Sequence, residues 1–270
     1  MREWLRRLDR LLRGELESVT GPGAQAPDSG LNRAASIRFL VVVAAALGAT
    51  YGFFMGWFAL TAGGKGSGWQ LASGVIKLPA LFLLTLIVSF PSLYVFNALV
   101  GCRLRFGEAL RVLMAAVVIH LAVGASLGPI LGFFTLSTTS YPFMVLLNVA
   151  LLGLSGLIGL AFLLRTLRAA AERSVRAEFP VTEADAKAEA GDMQAKHEVN
   201  QRERTVHDRL NGANAVFRIW IVIYGLVGVQ MGWILRPFIS QPGADFVFFR
   251  SREGNFFLSI AGILERLMGF

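Results

Sequence analysis

Five apolar stretches, each long enough to cross a bilayer, constrain this chain more than any other feature. A bilayer core takes about 20 helical residues. The stretches run roughly from Ser36 to Leu60, Val75 to Val100, Leu110 to Leu136, Phe143 to Leu164 and Ala215 to Leu235. In lipid each backbone polar group has to be satisfied internally, and a helix does this within one segment. The predicted fold is therefore all-α, a polytopic transmembrane bundle of five spans. Hydrophobic residues make up 54% of the chain and charged residues 16%, whereas a soluble domain is about a quarter charged. That balance excludes an ordinary soluble enzyme and a disordered chain. The first stretch starts too late and runs too long for a cleaved signal peptide.

The net charge of +8 reads as a topology signal rather than as a nucleic-acid footprint. The first flank carries Arg2, Arg6, Arg7, Arg10, Arg13, Arg33 and Arg38, and the second only Lys65. The third carries Arg103, Arg105 and Arg111, and the fourth, STTSYP, none. Short flanks rich in Lys and Arg stay on the cytoplasmic side. This alternation predicts the N-terminus inside and the C-terminus outside. Trp57, Trp69, Tyr141 and Trp233 then fall near the outer boundary, where amphipathic rings prefer to sit. Lys77, near the outer end of the second span, is expected to snorkel.

Five regions follow. Residues 1–35 hold an amphipathic helix, with Trp4, Leu5, Leu8, Leu11, Leu12 and Leu16 on one face and arginines on the other, and then a Gly/Pro/Ser linker. Such a helix lies on an anionic leaflet. Residues 36–164 form a four-helix transmembrane region. Residues 165–214 mix both signs of charge and read as a cytoplasmic helical loop broken near Pro180, a candidate docking surface for a cytoplasmic partner. Residues 215–236 are the fifth span. Residues 237–270 form an outer-side interfacial segment, with Phe256, Phe257, Ile260, Ile263, Leu264 and Leu267 in a helical stripe. The 165–214 loop has no basic face with interleaved aromatics, so no nucleic-acid partner is expected.

Glycines recur at spacing four in three spans: Gly48, Gly52 and Gly56; Gly124, Gly128 and Gly132; Gly228 and Gly232. Spacing four keeps them on one helical face. Between helices in lipid, close backbone approach and van der Waals contact supply the attraction, and glycine permits that approach. These positions are read as helix-packing sites, within one subunit or between copies. Pro91 and Pro129 each remove a backbone hydrogen bond and are expected to kink their helices.

No Asp or Glu lies inside any of the five stretches, whereas ion-coupled carriers depend on such groups. His120 is the ionisable residue nearest mid-membrane, about 15 Å from the start of its stretch at ~1.5 Å per residue. It reads either as an interhelical hydrogen bonder or as a gating residue. Asn97, Asn148 and Gln230 are further candidates for interhelical hydrogen bonds, each worth ~0.6 kcal/mol.

Enzyme motifs do not assemble. Gly153-Leu154-Ser155-Gly156 spells the GxSG of the rhomboid intramembrane proteases. A rhomboid needs a histidine in a later span, and here none follows within the fifth. There is no HExxH, no Walker lysine loop and no dinucleotide glycine fingerprint. The single cysteine, Cys102, precludes an intrachain disulfide or a cysteine metal cluster. No catalytic residues, metal or cofactors are expected.

The segments KLPALFLLTLIVSFPSLYVFNALVG, LGPILGFFTLSTTSYPFMVLLNV and QMGWILRPFI, together with FFRSREGNFF, resemble an uncharacterised family of bacterial multi-pass inner-membrane proteins. The order of spans also resembles the Yip1-type membrane proteins in hydropathy alone. Neither resemblance implies an activity; the first implies a bacterial inner-membrane location. The features together point to a non-enzymatic, oligomerising scaffold or assembly subunit of a membrane complex, partnered by the lipid bilayer and by copies of itself or other subunits. The alternative reading is a gated ion channel or effector pore controlled through the cytoplasmic loop, since an apolar gate needs no charged lining.

Overall fold

The structure, a computed structural model, describes residues 37–61, 67–99, 106–179, 191–235 and 256–268. The N-terminal amphipathic helix, its linker and the 237–255 stretch lie outside the described residues. Six helices make up the described fold: α1 (Ile37–Thr61), α2 (Ser67–Leu99), α3 (Phe106–Ser137), α4 (Tyr141–Glu178), α5 (Met193–Leu235) and α6 (Phe256–Met268). The first five are long and apolar enough to cross a membrane. The protein is thus a multi-pass membrane protein, and among the described residues all regular structure is helical.

Packing arranges the spans in a ring. α1 lies against α2 and α3, α3 against α4, α4 against α5, and α5 returns to α2. The α1–α2 contact is built on missing side chains. A Cβ on Gly48 would stand 3.0 Å from Pro79 Cβ, and one on Gly56 would stand 2.8 Å from Leu71 Cα. One on Gly52 would strike the carbonyl of Gly74. As the α1 number rises the α2 number falls, so the pair is antiparallel at backbone contact. Pro79 sits inside α2 with Pro91, and the helix continues through both.

The α1–α3 contact uses glycine differently. Gly128 and Gly132 receive the ring of Phe54, and Gly124 faces Tyr51 and Ser155. Here both numbers rise together, so α1 and α3 run parallel. Each of these three glycines is a hole for a side chain of a neighbouring helix, a knob-into-hole contact that lipid-embedded helices need in place of a hydrophobic drive.

Polar side chains lock the ring at two levels. Tyr51 Oη donates to Asn148 Oδ1 at 2.9 Å, and Asn148 Nδ2 reaches Met55 Sδ at 3.5 Å, joining α1 to α4. Trp220 Nε1 donates to Ser92 Oγ at 2.9 Å, joining α5 to α2. Tyr51, Asn148 and Trp220 are all fully buried.

α4 and α5 overrun their spans. The 165–214 segment, expected as a separate soluble loop, divides at Glu178 and Met193, and each described half continues a membrane helix without a break. α4 carries on for roughly 20 Å beyond Leu164, and α5 begins roughly 30 Å before Ala215, at ~1.5 Å per residue. The physical reason is helix propensity: both halves are rich in Ala, Glu and Arg, the second also holds Gln, and neither has an internal proline. α4 ends at Phe179, just before Pro180. A proline disfavours the helical conformation in the residue preceding it. The end of α4 touches α5 partway along its polar half. Arg209 Nη1 meets Glu178 Oε2 at 2.9 Å, Arg202 Nη2 donates to the Phe179 carbonyl at 3.1 Å, and the Arg209 guanidinium lies 5.4 Å from the centre of the Phe179 ring. α6 packs on α4 and α5; it turns Ile263 to the core and leaves Phe257 and Leu264 exposed.

Candidate functional site: an apolar cavity at the centre of the ring

Between α2, α3, α4 and α5 the ring encloses a partly open cavity of about 400 Å³. Its walls are apolar, and much of its space comes from glycine: Gly153, Gly156 and Gly159 on α4, and Gly225, Gly228 and Gly232 on α5. A Cβ on Gly153 would meet nothing within 4 Å, and one on Gly225 or Gly228 would find its nearest neighbour at 3.8 Å. At Gly228 no neighbouring backbone stands in close contact, and Gly232 is buried on the same wall. Backbone approach at the α1–α2 seam gives way here to open volume. Gly153 on one wall and Gly225 and Gly228 on the other leave open volume, while the space beside Gly156 and Gly159 is taken by His120.

His120 borders this cavity, at position 15 of the 32 residues of α3 (Phe106–Ser137). Gly156 and Gly159 make room for it; a Cβ on Gly159 would stand 2.8 Å from His120 Cβ. Phe82 packs edge-on against the imidazole with ring centres 4.5 Å apart. The ring hydrogen-bonds the backbone of Leu152, while Nε2 is buried with no hydrogen-bond partner. With Leu152 facing Nδ1, the Nδ1–H tautomer would leave Nε2 a bare lone pair. An orphan nitrogen of this kind costs about 1–3 kcal/mol. Thr85, also on the wall, donates its hydroxyl back to the Leu81 carbonyl at 2.7 Å.

Ser155 is fully buried and its Oγ donates to the same Leu152 carbonyl at 3.0 Å. His120 and Ser155 thus share an acceptor but form no hydrogen bond with each other, and the nucleophile–base contact that acyl transfer requires is not made. Among the described residues no group of His, Cys, Asp and Glu could hold a metal ion.

The remaining candidates scatter. Asn148 bonds Tyr51 on the α1 side of the ring. Gln230 is exposed on α5. Asn97 lies in α2, its side chain outside the described residues. Pro129 sits within α3, whose helix continues through it. Lys77, expected to snorkel, is buried at 5% exposure. Sequence reasoning missed three participants: Pro79, whose ring fills the space opposite Gly48; Tyr51, the donor to Asn148; and Trp220, which ties α5 to Ser92. All three were hidden among residues that lipid-facing helices also carry, and only the pairing partner distinguishes them.

No known protein family, curated protein or solved structure matches this chain.

Proposed function

We propose that the protein is an assembly subunit of a bacterial inner-membrane complex, a scaffold that associates with copies of itself or with other membrane subunits and is not an enzyme. In this reading the N-terminus is cytoplasmic, the terminal helices lie at the two interfaces, and the 165–214 region docks a cytoplasmic partner. The observation that carries it is the α4–α5 hairpin. Two helices leave the apolar zone uninterrupted and meet again through Arg209 and Glu178. A stiff, charged stalk is thereby coupled mechanically to the bundle. On the same two helices Leu154, Leu157, Ile219, Val222 and Leu226 are exposed, an apolar surface suited to lipid or to a neighbouring subunit.

Native mass in mild detergent tests this reading. The full chain is expected to run as a particle larger than one copy, or with stoichiometric partners, and Arg204→Glu on the exposed stalk is expected to shrink it. A single copy at all concentrations overturns the reading. The gated pore is the second reading, favoured by the cavity between α2, α3, α4 and α5 beside His120. Proteoliposomes that conduct ions, with flux altered in His120→Ala, would put the pore in the scaffold's place.

A further inference from the structure

A space of this size lies within the ~300–1,000 Å³ typical of small-molecule sites. Two of its lining residues, Gly153 and Leu157 on α4, are exposed on the outer face of the bundle. An ordinary acyl chain would fill the volume yet leave His120 Nε2 unsatisfied. In the Nδ1–H tautomer the unpartnered Nε2 is an acceptor, and a complementary occupant brings a hydrogen-bond donor. Nothing among the described wall residues is ionised except as His120 itself could become, so the occupant is uncharged. The glycine walls of α4 and α5 suit a long, slender body rather than a bulky one, since they widen the trough along two helix axes.

We propose that the central cavity is a binding site for a neutral, lipid-soluble alcohol, whose hydroxyl donates to Nε2 of His120 and whose hydrocarbon body lies along Gly153, Gly156, Gly225 and Gly228. Phe82, with its ring centre 4.5 Å from that of the imidazole, is the wall side chain beside this end of the site. The site is a property of one chain and does not rest on the assembly reading: binding is counted per chain, whatever the particle size.

The test uses full-length protein in lipid nanodiscs, with radiolabelled farnesol as probe and farnesyl methyl ether as its match without a donor. Binding to empty nanodiscs is subtracted. Wild type is expected to bind farnesol saturably at one site per chain, and the ether roughly tenfold more weakly, the weight of one hydrogen bond to a buried acceptor. His120→Phe is expected to bind both probes with equal, weaker affinity. Gly228→Leu, which fills the trough, is expected to abolish saturable binding of both, with unchanged elution and melting as the control for folding. If either variant fails that control, the alcohol-to-ether ratio of the wild type decides alone. Equal binding of alcohol and ether by the wild type, or no saturable binding of farnesol, overturns the proposal.

Discussion

A methyl group added at Gly52 points into the Gly74 carbonyl, whereas one added at Gly228 comes no nearer than 3.8 Å to Thr85 Cγ2. The obstacle at Gly52 is the backbone of a packed helix, which cannot rotate away. Gly52→Ala is therefore expected to destabilise the bundle by about 1–3 kcal/mol, the usual range for overpacking. Gly228→Ala is expected to be neutral or to stabilise by up to ~1 kcal/mol, from the helix propensity of alanine over glycine. Melting temperatures in one detergent check the contrast, and equal losses at the two positions would refute the distinction between seam and cavity. Tyr51 and Asn148 offer a second residue-scale test. A double-mutant cycle of Tyr51→Phe and Asn148→Ala is expected to give a coupling of about 0.6 kcal/mol, the average for hydrogen bonds between membrane helices. The spacing of the glycines was legible in the sequence. Which of them face a backbone, an aromatic ring or a void was not, because that depends on the partner helix and its register.

Among the elements, the α4–α5 hairpin departs most from expectation. The charged stretch was legible as helical with a break near Pro180, since its composition favours helix and proline ends one. Its continuity with two spans was not, because a change from apolar to charged side chains alters where a helix sits without interrupting its backbone hydrogen bonds. The tip contacts are partly solvated, with the Arg209 and Glu178 side chains 42% and 40% exposed. Exposed pairs of this kind contribute ~0–1 kcal/mol and are screened by salt. A cycle of Arg209→Ala and Glu178→Ala should give a coupling within that range at low salt and close to zero at ~1 M salt, where the Debye length is ~3 Å. A coupling that survives high salt would show that the tip is sealed from water. The Arg202 bond to the Phe179 carbonyl caps a helix end and should persist under the same conditions.

For the molecule as a whole, the ring order α1–α2–α5–α4–α3 leaves a space that no pair of adjacent helices encloses alone. Membrane orientation belongs to this scale as well. The arginine-rich flanks predict that the connection between α2 and α3 lies on the cytoplasmic side, and the chain's one cysteine, Cys102, falls there. A membrane-impermeant maleimide applied to intact spheroplasts is expected to leave Cys102 unlabelled, and to label it after the membrane is opened. Labelling before opening would invert the proposed topology. The same orientation would place the α4–α5 stalk in the cytoplasm, where a soluble partner could reach it.

The sequence by itself determined the class: five helices in lipid, with few ionised groups between them. Apolar length and backbone hydrogen bonding are local properties that each segment carries alone. It also marked His120, Asn148 and the glycine faces as positions of interest, since a polar or missing side chain is conspicuous among aliphatic neighbours. Only the tertiary structure decided that α1 closes on α2 through glycine while Gly225 and Gly228 of α5 border a cavity. It alone turned His120 toward Leu152 and left one nitrogen unmatched. Those outcomes depend on which helix becomes the neighbour of which, a choice made by the shapes of several surfaces at once and written in no single stretch of the chain.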